Sequence, residues 1–205
     1  MIKQPPPTPP ASYGPPQRLF PDADQPTFNL VLRLNFWALL PLTVGILLLW
    51  IPYQLYIVYG LNWVLFAEPN WGTMLTVFIY ILVFIGSISL HELIHALFIR
   101  IFGYRPVLNI HWGFLTAGVP IGEFLRRNHY LAIAVAPLII MTIFGGLILL
   151  FLPMALAQPI LIALLFNFPA SIGDLLIARR LLRHPADTLF ASNENEIYIY
   201  HTRLN

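Results

Sequence analysis

The chain has 205 residues, of which 58% are hydrophobic and only 10% charged, whereas a soluble domain carries about 25% charged residues. With a mean hydropathy of +0.74, this composition excludes an ordinary soluble domain and points to a multi-span membrane protein. There is no cysteine, so disulfides and thiolate-held metals are excluded, and any bound metal must use His, Asp or Glu, a donor set that suits zinc.

The first 27 residues hold nine of the 19 prolines. Runs such as Pro5-Pro6-Pro7 and Pro15-Pro16 form neither helix nor central strand, and residues 1–28 read as a disordered, proline-rich tail. The tail lacks a basic start followed by an apolar core, so it does not read as a secretory signal.

A bilayer-crossing helix needs about 20 mostly apolar residues, and four segments in residues 29–183 qualify. The first runs from about Phe36 to Tyr59 and contains Pro41 and Pro52. The second is uncharged from Trp71 to Leu90 and continues through His95. The third runs from about Tyr130 to Leu152, with Pro137 and Gly145-Gly146 inside it. The fourth runs from about Ala157 to Leu182 and contains Asp174. Proline and glycine are tolerated in spans where neighbouring helices satisfy the backbone. The expected class is an all-α membrane protein with four transmembrane helices.

The basic residues divide without remainder. Lys3, Arg18 and Arg33 precede the first span. Arg100, Arg105, Arg126 and Arg127 lie between the second and third, and Arg179, Arg180, Arg183 and Arg203 lie at or after the end of the fourth. None falls in the other two connections. This alternation predicts both termini in the cytoplasm, with Trp63 and Trp71 at the outer interface. It also explains the pI near 9.0 without a nucleic-acid partner.

The cytoplasmic connection from Gly103 to His129 is too apolar for a free loop. Val107–Trp112 and Phe114–Gly118 read as a short β-hairpin about Gly113, packed at the membrane surface or dipping into it. In the C-terminal tail, residues 184–205, Glu196–His201 suit a strand that could pair with the hairpin or with a partner.

His91-Glu92-Leu93-Ile94-His95 spells H-E-x-x-H at the end of the second span. On a helix, residues i and i+4 share a face, so both imidazoles can hold one metal ion, and the glutamate lies where a carboxylate can take a proton from water. A catalytic zinc has three protein ligands and one open position. Glu92 and Asp174 are the only carboxylates in the expected spans, which makes Asp174 the candidate third ligand. His95 lies five residues before Arg100 and Asp174 five before Arg179, so each sits roughly 7 Å inside the same interface. The other reading of Asp174 is a buried acid paired with an arginine or capping a turn. Around it, Pro169 should break the helix and Gly173 loosen it. Asn167 has two readings: a donor to an oxyanion or a substrate strand, or an amide capping the carbonyls freed by Pro169. His111, His129, His184 and His201 read as ordinary surface histidines.

These residues resemble the site-2-protease-like intramembrane zinc metalloproteases. More closely, they resemble a bacterial family of small four-span proteins described as putative zincin peptidases. The resemblance rests on His91-Glu92-Leu93-Ile94-His95 in one span and on Asn167-x-Pro169 with Gly173-Asp174 in a later one, and extends from about Thr73 to Tyr200. Site-2 proteases carry Leu-Asp-Gly at the third ligand, where this chain has Gly173-Asp174-Leu175. The resemblance implies one Zn²⁺ on His91, His95 and Asp174, with Glu92 as general base. It also implies cleavage of membrane-spanning or membrane-associated proteins near the cytoplasmic face, with membrane lipid as the surroundings. The same residues leave open a zinc-bound scaffold or regulator that cleaves nothing, and a metal transporter.

Overall fold

The structure is a computed structural model and describes residues 6–20, 28–58, 72–111, 114–152, 154–193 and 196–202. Three helical stretches are long and apolar enough to cross a membrane: Thr73–Ile101, Arg127–Leu149 and Leu156–Leu181. A further helix, α1 (Phe28–Val58), begins well before the expected Phe36, and its apolar stretch among the described residues is Phe36–Ile51. Large apolar side chains such as Phe36, Met74, Phe78 and Phe151 point outward from the helices. Apolar patches of that extent mark a surface that meets lipid or protein rather than water.

The second helix, α2 (Thr73–Ile101), is unbroken and ends at Arg100 and Gly103, the latter at a φ of 84°. The third stretch is α3 (Arg127–Ile140), a π-helical turn (Met141–Gly145) and a short α4 (Gly146–Leu149). Within the π turn the Thr142 hydroxyl donates to the Leu138 carbonyl at 2.6 Å, a back-bond that bends helices. Helix α5 (Met154–Ala170) is separated from α6 (Ile172–Leu181) at Ser171. The break thus falls between the expected Pro169 and Gly173. There the Ser171 hydroxyl donates to the Asn167 carbonyl at 2.8 Å beside the ordinary helical bond from the Ser171 N–H at 3.0 Å, a back-bond that bends helices.

The helices pack around Leu49, Ile94, Met141, Leu161, Leu164 and Phe168. Two glycines set the spacing. A Cβ on Gly145 would meet Leu164 at 2.5 Å, and one on Gly45 would overlap the Phe168 ring.

The expected hairpin is present as β2 (Val107–His111) and β3 (Phe114–Gly118), antiparallel in the register Val107↔Gly118; its turn lies outside the described residues, as do Trp63 and Trp71. An all-α class is corrected by a second, four-stranded antiparallel sheet in the order β1–β6–β5–β4. It joins β1 (Gln17–Arg18), β4 (Phe124–Arg126), β5 (Leu189–Asn193) and β6 (Glu196–Tyr200). The C-terminal strand therefore pairs with its own neighbour β5 and with β1, not with the β2–β3 hairpin.

The expectation of a disordered tail is also corrected over residues 6–20. Gln17 pairs with Ile199 and Arg18 with Tyr198, and the Gly14 N–H donates to the His201 carbonyl. Tyr200 donates its hydroxyl hydrogen to the Pro7 carbonyl at 2.8 Å. The anchor is Leu19, buried with Leu181, Phe190 and Ile199. Prolines without N–H groups suit an outer strand, where that donor is not needed by the ladder.

Candidate metal centre

The H-E-x-x-H motif lies on α2 where that helix is packed against α3 and α5, and both histidines are buried. Asp174 arrives on α6, in the turn that follows the Ser171 break. The His91 and His95 Nε2 atoms are 3.2 Å apart. Asp174 places Oδ2 3.2 Å from the His91 Nε2 and Oδ1 3.6 Å from the His95 Nε2. One ligand atom from each of the three residues lies within 4.8 Å of the others.

Two facts show that these residues fit a zinc ion. The first is the spacing. Zinc bound tetrahedrally at about 2.0–2.1 Å holds its ligand atoms about 3.3–3.4 Å apart, close to the separations found here. The second is the proton inventory. The His95 Nδ1 lies 2.9 Å from the Ile133 carbonyl oxygen, which can only accept, so Nδ1 carries the proton and Nε2 presents a lone pair. The His91 Nδ1 donates in the same way to the Asn167 Oδ1 at 2.8 Å. Two lone pairs and a carboxylate then face one another, an arrangement that calls for a cation between them. Such outer partners, which fix tautomer and ring orientation, accompany most metal-bound histidines.

The Asn167 oxygen holds His91, and among the described residues its buried Nδ2 has no hydrogen-bond partner, so that amide hydrogen is left available to donate. Glu92 sits beside the cluster, half-buried, and its Oε2 accepts the Ala117 N–H of β3 at 2.7 Å. That contact ties the motif to the hairpin edge facing away from β2.

Ile133 and Pro137 escaped the sequence reading. A helical carbonyl is normally taken by the N–H four residues later. For Ile133 that residue is Pro137, which has no N–H, so the oxygen is free to receive His95. The signal was in the sequence, as a proline inside the third span.

A cavity of about 730 Å³ opens beside the cluster. His95 and Asp174 line it, with Tyr130 on α3, Thr116 to Val119 of the hairpin strand and its exit, and Ser192 and Ile197 of the four-stranded sheet. Its other walls include Ile99, Leu125 and Ile177, so His95 and Asp174 look into a mainly apolar space.

Of the remaining histidines, His129 stacks on Phe102 at 4.5 Å and lies 3.0 Å from the Tyr104 hydroxyl through Nδ1. His184 faces His201 at 5.3 Å. The side chain of His111 lies outside the described residues. Among the described residues, the three-ligand cluster is formed by His91, His95 and Asp174 alone.

No curated protein and no solved structure matches the chain. A family model described as putative zincin peptidase matches residues 83–189, a stretch that contains the cluster, its two supporting acceptors and the hairpin. It covers about half of the chain, and the chain belongs to that family.

Proposed function

We propose that this protein is a zinc-dependent intramembrane endopeptidase with four spans and both termini in the cytoplasm, cutting membrane-spanning or membrane-associated substrates near the cytoplasmic face. The observation that carries the reading is the convergence of His91 Nε2, His95 Nε2 and Asp174 at the spacing of a tetrahedral face, with the Glu92 carboxylate alongside. Zinc at this position would supply a Lewis acid for the scissile carbonyl and lower the pKa of water toward about 7.

The protein's own groups do the rest. His91, His95 and Asp174 are the residues that would hold the ion. Ile133 and Asn167 keep both imidazoles in the tautomer that presents Nε2. Glu92 takes the proton of the attacking water and returns it to the leaving amine. The apolar cavity limits competing water and accepts apolar side chains next to the scissile bond. A substrate segment unwound from its helix can lie along β3 as an added strand, which places its backbone beside Glu92.

Metal analysis of the purified protein is the direct test, with wild type beside His95→Ala and Asp174→Ala. About one zinc per chain, lost in both variants, is expected. Zinc retained by Asp174→Ala would remove the third ligand. Zinc in the wild type with no cleavage of any membrane substrate, even when accumulated partners of Glu92→Gln are offered to it, would instead assign a scaffold.

A further inference from the structure

On the face of α6 turned away from the metal centre, an apolar groove of about 610 Å³ runs between α1, the π-turn region of α3 and the α5–α6 break. Asp174 and Ile177 of α6 line the metal-site cavity, whereas Leu175, Leu176 and Arg179 line the groove. One helix thus separates the two spaces.

The groove has a polar end and an apolar end. Arg179 lies in the last turn of α6, and Trp37 lies near the start of α1. These helices run in opposite senses, so both residues mark the end of the bundle that carries the sheets. From there the groove deepens past Val44 to Leu48 on α1 and to Phe168 on α5. Trp37 to Leu48 covers about 16 Å of helix, and half of a bilayer's hydrocarbon thickness is about 15 Å. Arg179 is the single charged residue of the lining. Among the described residues it has no ion pair, while its neighbour Arg180 is placed over the Phe20 ring at 5.3 Å. The lining hydroxyl, that of Thr142, is already bonded to the Leu138 carbonyl.

A guanidinium with no ion pair among the described residues and an indole at headgroup level, above an apolar slot one leaflet deep, match an amphiphile with an anionic head and a long acyl chain. We propose that this groove binds an anionic glycerophospholipid, with its phosphate on Arg179 and one acyl chain laid between α1 and α6. The site is distinct from the metal centre and stands whether or not the protein is a peptidase.

Native mass spectrometry of the full chain in detergent tests it, with palmitoyl-oleoyl phosphatidylglycerol against the phosphatidylcholine of the same chains. Wild type is expected to bind phosphatidylglycerol about five-fold better, the ratio that one basic residue near anionic lipid supports. Arg179→Gln should lose that preference, Arg179→Lys keep it, and Arg183→Gln, one turn beyond the groove, leave it unchanged. Val44→Trp, which fills the slot and leaves Arg179 in place, should weaken binding of both lipids. No preference in the wild type, or equal losses in the Arg179 and Arg183 variants, would overturn the proposal, since surface charge alone would then account for binding. Unchanged phosphatidylglycerol binding by Val44→Trp would also overturn it and leave the groove to another occupant, such as a partner's helix.

Discussion

Pro137 has no N–H to give the Ile133 carbonyl, and that oxygen accepts the Nδ1–H of His95 at 2.9 Å. A helix defect on α3 is thereby converted into support for a candidate metal ligand on α2. Pro137→Ala restores a competing donor. The helix should become more stable, since proline in a helix interior costs about 3 kcal/mol. Zinc affinity should nevertheless fall, by roughly tenfold, the low end for loss of an outer partner. Chelator competition set beside thermal unfolding separates the two effects, and a variant that gains stability without losing affinity would contradict the link.

Asn167 performs the matching task for His91. Asn167→Leu removes the acceptor and should cost about 10–100-fold in zinc affinity. Asn167→Asp keeps an oxygen at the same place and should retain most of it. Isothermal titration with zinc on both variants checks the order.

Glu92 has two contacts to lose, and one substitution parts them. In Glu92→Gln the amide oxygen can still accept the Ala117 N–H, so the hairpin stays docked while the proton acceptor is gone. Zinc content should be unchanged, and cleavage should drop by about 10²–10⁴-fold. Glu92→Ala should in addition speed hydrogen exchange at the Ala117 amide.

Gly45 lies where a side chain would overlap the Phe168 ring. Gly45→Ala forces α1 and α5 apart and should destabilise the protein by about 1–3 kcal/mol. Because Phe168 adjoins Asn167, reduced zinc occupancy should accompany the lower melting temperature. Both can be read from one preparation by differential scanning fluorimetry and metal analysis.

His184, beyond the end of α6, has its imidazole pKa held below the ordinary 6.5, first by burial and then by His201 and Arg180. The folded state thus favours the neutral ring. Its contribution to stability is fully present above 6.5 and is lost as the pH falls through the lower folded value. Protection of the β5 and β6 amides, corrected for the intrinsic pH dependence of exchange, should therefore fall as the pH drops below about 6.5, and His184→Gln should flatten that response. Asp187, held down mainly by the Thr202 hydroxyl, acts in the same direction, but only below its ordinary 3.8.

The parts legible in the sequence are those written in local period or in rare residue types. Two histidines four apart share a helix face, an acid inside an apolar run is conspicuous, and apolar strands about Gly113 announce a hairpin. The arginines at Arg100 and Arg179 set His95 and Asp174 level, and the folded chain brings those two side chains to 3.6 Å. The four-stranded sheet was hidden because its pairings join distant segments. Gln17 has no local sign that Ile199 is its partner, and β4 is only three residues long. The proline content of the tail spoke for disorder, while Leu19, one apolar residue, supplies the anchor. The support for His95 was obscured for another reason: its acceptor is a backbone oxygen, which every residue has, and Pro137 alone distinguishes it.

The pairing of Gln17 with Ile199 also sets an order of assembly. A ribosome adds about 5–20 residues per second, so β1 waits on the order of ten seconds or more for its partner strand to be made. By the end of that interval all the helices have been synthesised, and with them His91, His95 and Asp174. Ile197, on the strand still missing, is one wall of the cavity beside them. A nascent chain therefore carries its ligands before it has an enclosed site, and the late strand is the step that turns one into the other.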